Sequence, residues 1–277
     1  MRTKAELTDA IRRDRRAVLV VNAHSRRGRR LYDGARQRLL AAGFPLLGVY
    51  PVDRPGELEK TLAAAIDAGP DLLVAGGGDG TISTAARLLA HRDIALGLLP
   101  LGTTNNFART AGVPLGLDEA VATLTDGKVI DVDLGLAGDM PFTNHVGVGL
   151  SADVMEKAPR PLKRATGRLA YPITALALLT RHRPLRAVVR AEGRRHEFVT
   201  HQLYVANGGY HAGRPITADA DADDRLLVAY AVGGLWLETD RPARVEVDGE
   251  PCGTTPMRIG LDANALRIMA AAETPDR

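Results

Sequence analysis

Four short, unbroken aliphatic runs recur through the first part of the chain: "AVLVVN" (17–22), "LLGVY" (46–50), "DLLVA" (71–75) and "IALGLLP" (94–100). A strand without alternating polar residues has no face to give to water, so such runs predict strands buried on both sides, as in a parallel sheet. The segments between them carry helical signals. One helix is expected over 31–42, stopping at Gly43. A second, over 56–68, places Leu58, Leu62 and Ile66 on one face and ends at Gly69-Pro70. A third is expected over 82–91. Strand and helix alternating at this spacing imply right-handed crossovers and a doubly wound α/β domain, which binds ligands at the carboxyl ends of its strands.

The texture changes after residue 128. "VIDVDLGLAG", "RAVVRAEG", "HEFVTHQLYVANGG", "RLLVAYAVGG" and "ARVEVDGE" alternate apolar with polar residues between glycine or proline turns. This pattern predicts an antiparallel, β-sandwich-like domain. A helical insertion is expected over 161–182, and the last strand is free to return to the first domain. We therefore expect an α/β domain over 1–128 and a β-rich domain over 129–277; with 277 residues, 45% of them hydrophobic, each can bury a core.

Composition narrows the function classes. Cys252 is the single cysteine, which excludes an intrachain disulfide and a cysteine-based zinc site and fits a reducing compartment. The start of the chain has no apolar signal region, and the greasiest helical stretch, "YPITALALL" (171–179), falls well short of the ~20 residues of a membrane span, so a cytoplasmic protein is expected. Net charge is +3 and the arginines are clustered, which suits an anionic partner such as phosphate or a lipid surface. Nucleic acid is not expected, because no recognised module accompanies the basic residues and only 4% of residues are aromatic. The sequence leaves a homodimer open.

The loop "GGGDGT" (76–81) follows the third aliphatic run and opens a helix. Its glycines allow positive φ and let bare N–H groups converge on phosphate oxygens at a helix N-terminus. Asp79 would repel naked phosphate, so it points either to a metal or to proton chemistry; the plain alternative is a tight turn with Asp79 as N-cap. A second loop, "PLGTTNNFAR" (100–109), leaves the next strand with two hydroxyls and two amides, donors suited to a nucleotide. Neither loop has the lysine of a GxxxxGK[ST] P-loop, and GxGxxG is not matched.

With "VDLGLAGDMPFTNHVGVGLSADV" (132–154), "LKRATGRLAYPITAL" (162–176) and "VDGEP" (247–251), these motifs resemble the diacylglycerol kinase catalytic-domain lipid kinases along nearly the whole chain. The resemblance implies ATP between the two loops, with Gly77, Gly78, Asp79, Gly80 and Thr81 lining the phosphates and Thr103 and Asn105 beside them. "VNAHSRRG" (21–28) is similar to the family's asparagine-proline-x-serine-glycine stretch, implying Asn22 and Ser25 as nucleotide contacts; Ala23 replaces the proline and Arg26 the glycine. In "VDGE" the resemblance implies Glu250 as general base and Asp248 as its electrostatic or metal-binding companion, where an isolated Asp-Gly would be only a β-turn with an exposed glutamate. "TADADADDRLLVAY" (217–230) resembles the family's structural Mg²⁺ loop, implying Asp224 and then Asp221 as ligands, although Arg225 stands where the family has glycine; a solvated acidic turn is the alternative. His145 is left without a role.

The span 157–190 carries nine lysines and arginines and no acid, which suits anionic headgroups or, alternatively, a solvated helix face. Between "RLLVAYAVGG" and "ARVEVDGE" only "LWLETDRP" intervenes, where relatives carry an extra helix and strand. The expected activity is ATP- and Mg²⁺-dependent phosphorylation of a lipid hydroxyl at an anionic membrane surface, with diacylglycerol as default acceptor and phosphatidic acid as product. A catalytically weak ATP-binding regulatory protein is the alternative, and an NAD kinase the third reading.

Overall fold

The computed structural model describes residues 1–23, 26–54, 56–157, 182–207, 209–211, 213–215, 227–228 and 234–274, with the side chains of 26–30, 155–157, 211, 214–215 and 227–228 left aside. Ser25, Asp221, Asp224, Arg225 and the expected helical insertion up to residue 181 lie outside these residues. The chain forms two compact units: the first takes Met1–Leu134, Gly208–Ile216 and Ala263–Arg277, the second Gly135–Asn207 and Thr217–Asp262.

The first unit runs α1 (Lys4–Asp14), β1 (Ala17–Asn22), α2 (Arg26–Ala41), β2 (Leu46–Val52), α3 (Leu58–Asp67), β3 (Leu72–Gly77), α4 (Asp79–Leu89), β4 (Ala95–Pro100), α5 (Asn106–Thr110), α6 (Leu117–Asp126) and most of β5 (Lys128–Ala137). Thr3 and Glu6 start α1 with a reciprocal capping box. The strands pair in the order β2-β1-β3-β4, all parallel. Val18, Leu19, Val20, Leu72, Leu73 and Val74 have no exposure at all, as continuous aliphatic strands covered on both faces require, whereas β2 at the edge is half-exposed. The chain leaves β1 towards β2 on one side and β3 towards β4 on the other. This reversal makes the carboxyl ends of β1 and β3 the topological switch point, where a crevice opens.

The second unit holds β6 (Met140–Phe142), β7 (His145–Gly149), α7 (Leu150–Lys157), β8 (Leu185–Ala191), β9 (Arg194–Thr200) and β10 (Gln202–Ala206). The short pair β11 (Tyr210–His211) and β12 (Arg214–Pro215) returns to the first unit. Then follow β13 (Leu227–Val228), β14 (Gly234–Thr239), β15 (Arg244–Val247), β16 (Glu250–Thr254) and β17 (Met257–Ala270). One sheet has the order β13-β10-β7-β15-β16; β9, β8, β14 and the start of β17 form an antiparallel set. Val146, Val148, Leu203 and Val245 from the first share one core with Leu185, Leu235, Leu237 and Ile259 from the second, which is a β-sandwich. The end of β17 belongs to the first unit, where Ile268 pairs in parallel with Leu96 of β4.

Candidate active site

The loops after β3 and β4 touch backbone to backbone. A Cβ on Gly102 would stand 2.4 Å from the Gly78 Cα, and one on Gly77 would meet the Thr81 side chain at 2.4–2.8 Å. Close approach, and not left-handed backbone, requires Gly76, Gly77 and Gly102: none of them, nor Gly78 or Gly80, is among the residues with positive φ, and a Cβ on Gly80 would meet nothing within 4 Å. Gly78 is the N-cap of α4 and brings no side-chain cap, so the helix's first turn is left to backbone groups, the arrangement that receives a phosphate. At the end of β1, Asn22 Nδ2 donates to Thr81 Oγ1 at 3.4 Å, which joins the first strand to the same crevice. Thr103 is exposed at the second loop.

Asp79 opens α4 but does not cap it. Its Oδ2 accepts the Thr104 hydroxyl at 2.7 Å and its Oδ1 accepts the Phe107 N–H at 3.2 Å, so one carboxylate ties the two loops and satisfies the start of α5. Asn105, buried and left-handed at φ 48°, accepts the Gly102 N–H at 2.9 Å and donates to the carbonyls of Pro100 and Gly102 at 3.3 and 3.2 Å. Its amide holds the loop in shape. Sequence reasoning passed over the groups that brace this loop. Arg109 Nε donates to the Thr104 carbonyl at 3.0 Å while its guanidinium lies 6.0 Å from the Tyr210 ring centre, and the Asn106 Oδ1 accepts the Gly213 N–H at 2.8 Å. Tyr210 and Gly213 come from more than a hundred residues downstream, and no local pattern announces that pairing.

In the second unit, Asp248 and Gly249 form the two-residue tip of the β15–β16 hairpin, with Val247 paired to Glu250. Both have positive φ, 48° and 91°, as a type I′ turn demands. Four donors converge on the Asp248 carboxylate: Thr143 N–H at 2.7 Å and Thr143 hydroxyl at 2.8 Å on Oδ2, Asn144 N–H at 2.9 Å and His145 N–H at 3.0 Å on Oδ1. The Asp248 N–H donates back to the His145 carbonyl at 3.0 Å. Asp248 thus clamps the turn to the start of β7, and Glu250 emerges from it exposed.

Behind the turn lies a carboxylate that the sequence did not mark. Glu246 is 3% exposed; Oε2 accepts the Gly249 N–H at 2.9 Å, Oε1 accepts the Ser151 hydroxyl at 3.2 Å, and His145 Nε2 stands 3.6 Å from Oε1. Tyr204 packs edge-on to His145, with ring centres 5.3 Å apart. Burial pushes the Tyr204 hydroxyl up from its ordinary pKa; its hydrogen bond with Ser151 opposes this and the nearby Glu246 charge adds to it. Burial likewise pushes the Cys252 thiol up, in keeping with a small hydrophobe. Among the described residues no group of three or more His, Cys, Asp or Glu side chains could hold a metal, and no helix is long and apolar enough to cross a membrane.

A doubly wound sheet with paired glycine loops at its switch point, followed in the chain by a β-sandwich that presents a carboxylate from a clamped hairpin, defines a phosphotransferase of α/β-plus-sandwich type. Residues 16–137 match the diacylglycerol kinase catalytic domain, and residues 144–235 match the YegS C-terminal NAD kinase beta sandwich-like domain. The chain is 31% identical over 264 residues to a "Probable lipid kinase YegS-like" of Stenotrophomonas maltophilia, covering 79% of this chain and 85% of the relative. It is 33% identical over 253 residues to a "Probable lipid kinase YegS" of Salmonella gallinarum, with the same coverage. A diacylglycerol kinase crystal structure from Bacillus anthracis superposes with TM-score 0.72 at 24% identity, over 92% of this chain and 96% of that one, a likeness of fold. The chain belongs to the diacylglycerol kinase catalytic-domain family and is a lipid kinase.

Proposed function

We propose that this kinase transfers the γ-phosphate of ATP to a lipid hydroxyl, with diacylglycerol as acceptor and phosphatidic acid as product. The observation that carries the reading is the backbone-to-backbone contact of the two loops at Gly78 and Gly102, which only glycines permit, beside a helix start that brings no side-chain cap. The cradle fits nucleotide phosphates: Gly77, Gly78, Gly80 and Thr81 line them, Asn22 and Thr103 reach the nucleotide, and Asn105 and Asp79 keep the two loops together. Ser25 joins this set by sequence pattern alone.

In the transfer, the lipid oxygen bonds to the γ-phosphorus as the bond to ADP breaks, and the hydroxyl proton passes to Glu250. Asp248 fixes the turn that presents Glu250, and its four donors leave it unsuited to bind a metal as well. Mg²⁺ held through ATP phosphates needs only one or two protein carboxylates; Asp221 and Asp224, implied by the sequence pattern, lie outside the described residues, and no step is routed through the ion. Peripheral attachment to an anionic membrane is supported by Arg183 and Arg186, which are exposed at the end of the basic span, where Arg190 is already paired with Glu238.

The test is single-turnover phosphorylation with labelled ATP against a panel of lipids in anionic vesicles. Labelled phosphatidic acid supports the proposal, and product from another lipid alone replaces the acceptor. Intact ATP binding with no lipid product would overturn it in favour of a regulatory nucleotide binder.

A further inference from the structure

We infer that Glu246 is a positioning residue for Glu250. The inference rests on the proposed role of Glu250 as general base and concerns how that base is held. β15 alternates strictly: Val245 and Val247 enter the sandwich core, so Glu246 points to the opposite face of the sheet. On that face it lies across from Gly147 of β7, which in turn lies across from Tyr204 of β10. Gly147 leaves the room the carboxylate occupies; a Cβ there would stand 2.2 Å from Glu246 Oε1 and 2.7 Å from Ser151 Oγ. A carboxylate 3% exposed is costly to bury and needs donors. It finds Ser151 from the first turn of α7 on one oxygen and the Gly249 N–H on the other.

The second bond gives the burial a purpose. In a two-residue hairpin, the N–H groups of the central residues fall outside the strand ladder. Here each has its own acceptor: the Asp248 N–H goes to the His145 carbonyl and the Gly249 N–H to Glu246. Gly249 precedes Glu250 directly, so the amide that Glu246 grips is one residue from the proposed base. Asp248 anchors the turn to β7 and Glu246 anchors it to α7 through Ser151; together they fix both residues of the tip.

Glu246→Met leaves the Gly249 N–H and the Ser151 hydroxyl without their acceptor, so its thermal midpoint should fall while the protein stays folded, and the comparison with Glu246→Gln separates positioning from stability. In Glu246→Met kcat should fall by about tenfold, with the KM for ATP within about twofold. Glu246→Gln, whose carbonyl oxygen can still accept that N–H, should restore most of kcat. In the Glu250→Gln background Glu246→Met should add no further loss, because it acts through Glu250. Should Glu246→Met fail to fold, Ser151→Ala carries the test, with a kcat several-fold down that is likewise lost in the Glu250→Gln background.

Unchanged kcat in a folded Glu246→Met or Ser151→Ala protein overturns the inference, as does a full multiplicative loss in the double variant, or Glu246→Gln falling as far as Glu246→Met. The outcomes separate the two readings. Slow Glu250→Gln with normal Glu246→Met removes only the positioning role, whereas full turnover by Glu250→Gln removes both.

Discussion

Replacing Gly102 by alanine sets one backbone against another. The new Cβ would stand 2.4 Å from the Gly78 Cα, 2.7 Å from Asn105 Oδ1 and 3.2 Å from the Gly78 nitrogen. Carbon atoms in contact prefer about 3.5–4.0 Å, so the two loops must part by roughly 1 Å, and the atom in the way is main chain that cannot swing aside. Overpacking of this kind costs about 1–3 kcal/mol. Asp79 follows Gly78 directly, so parting the loops also strains its bonds to Thr104 and Phe107, and a lost cap adds about 1 kcal/mol. The sum, about 2–4 kcal/mol, corresponds to a thermal midpoint lower by roughly 5–15 °C. ATP affinity by calorimetry should fall in parallel, because the cradle is the contact being broken. Gly80→Ala is the control: a Cβ there meets nothing within 4 Å, and inside a helix alanine is favoured over glycine by up to about 1 kcal/mol. A Gly102→Ala protein with wild-type midpoint and ATP affinity, or a Gly80→Ala protein equally destabilised, would refute the loop contact.

Glu250→Gln should lower kcat for lipid phosphorylation by about 10²–10⁴ while calorimetry shows ATP affinity unchanged; wild-type turnover would exclude Glu250 as the base. Asp248→Ala removes the acceptor for three backbone N–H groups and the Thr143 hydroxyl, so urea unfolding should show a loss of about 2–4 kcal/mol. A loss below the error of the fit would contradict the clamp. In the first unit, burial works against the charge on Asp93, but the hydrogen bonds and charge of Arg2, with Arg267 adding, outweigh it and hold the carboxyl below its usual range. A depressed folded-state pKa contributes stability above the unfolded value near 4 and loses it as pH falls through the folded value, so wild type should weaken more steeply below about pH 4 than Asp93→Asn. Equal acid slopes by thermal melts would show that the pair contributes nothing to the linkage.

The four parallel strands were legible because continuous aliphatic runs permit few other placements, and all four form at the expected places as β1 to β4. The helices α2 and α3 were legible from their glycine stops, α3 also from its apolar period, and α4 from its place after the glycine loop; α1, α5, α6 and α7 were not singled out, although Thr3 and Glu6 spell a capping box for α1. The Asp-Gly turn and the exposed Glu250 follow from local chemistry, since few residues besides these tolerate positive φ at both positions.

What the sequence by itself determined was therefore whatever depends on neighbours within a turn or a strand: apolar period, helix stops, hairpin residues and the order of motifs. Only the tertiary structure decided the partners. Gly102 is a glycine because of Gly78, Asp79 caps a helix other than its own, and Asp248 takes donors from residues 103 to 105 positions away. Glu246 reads as an ordinary polar position in an alternating strand, and is buried because α7 happens to cover that face of the sheet. Such contacts depend on which surfaces the fold brings together, and side-chain chemistry along a short stretch carries no record of what will be packed against it.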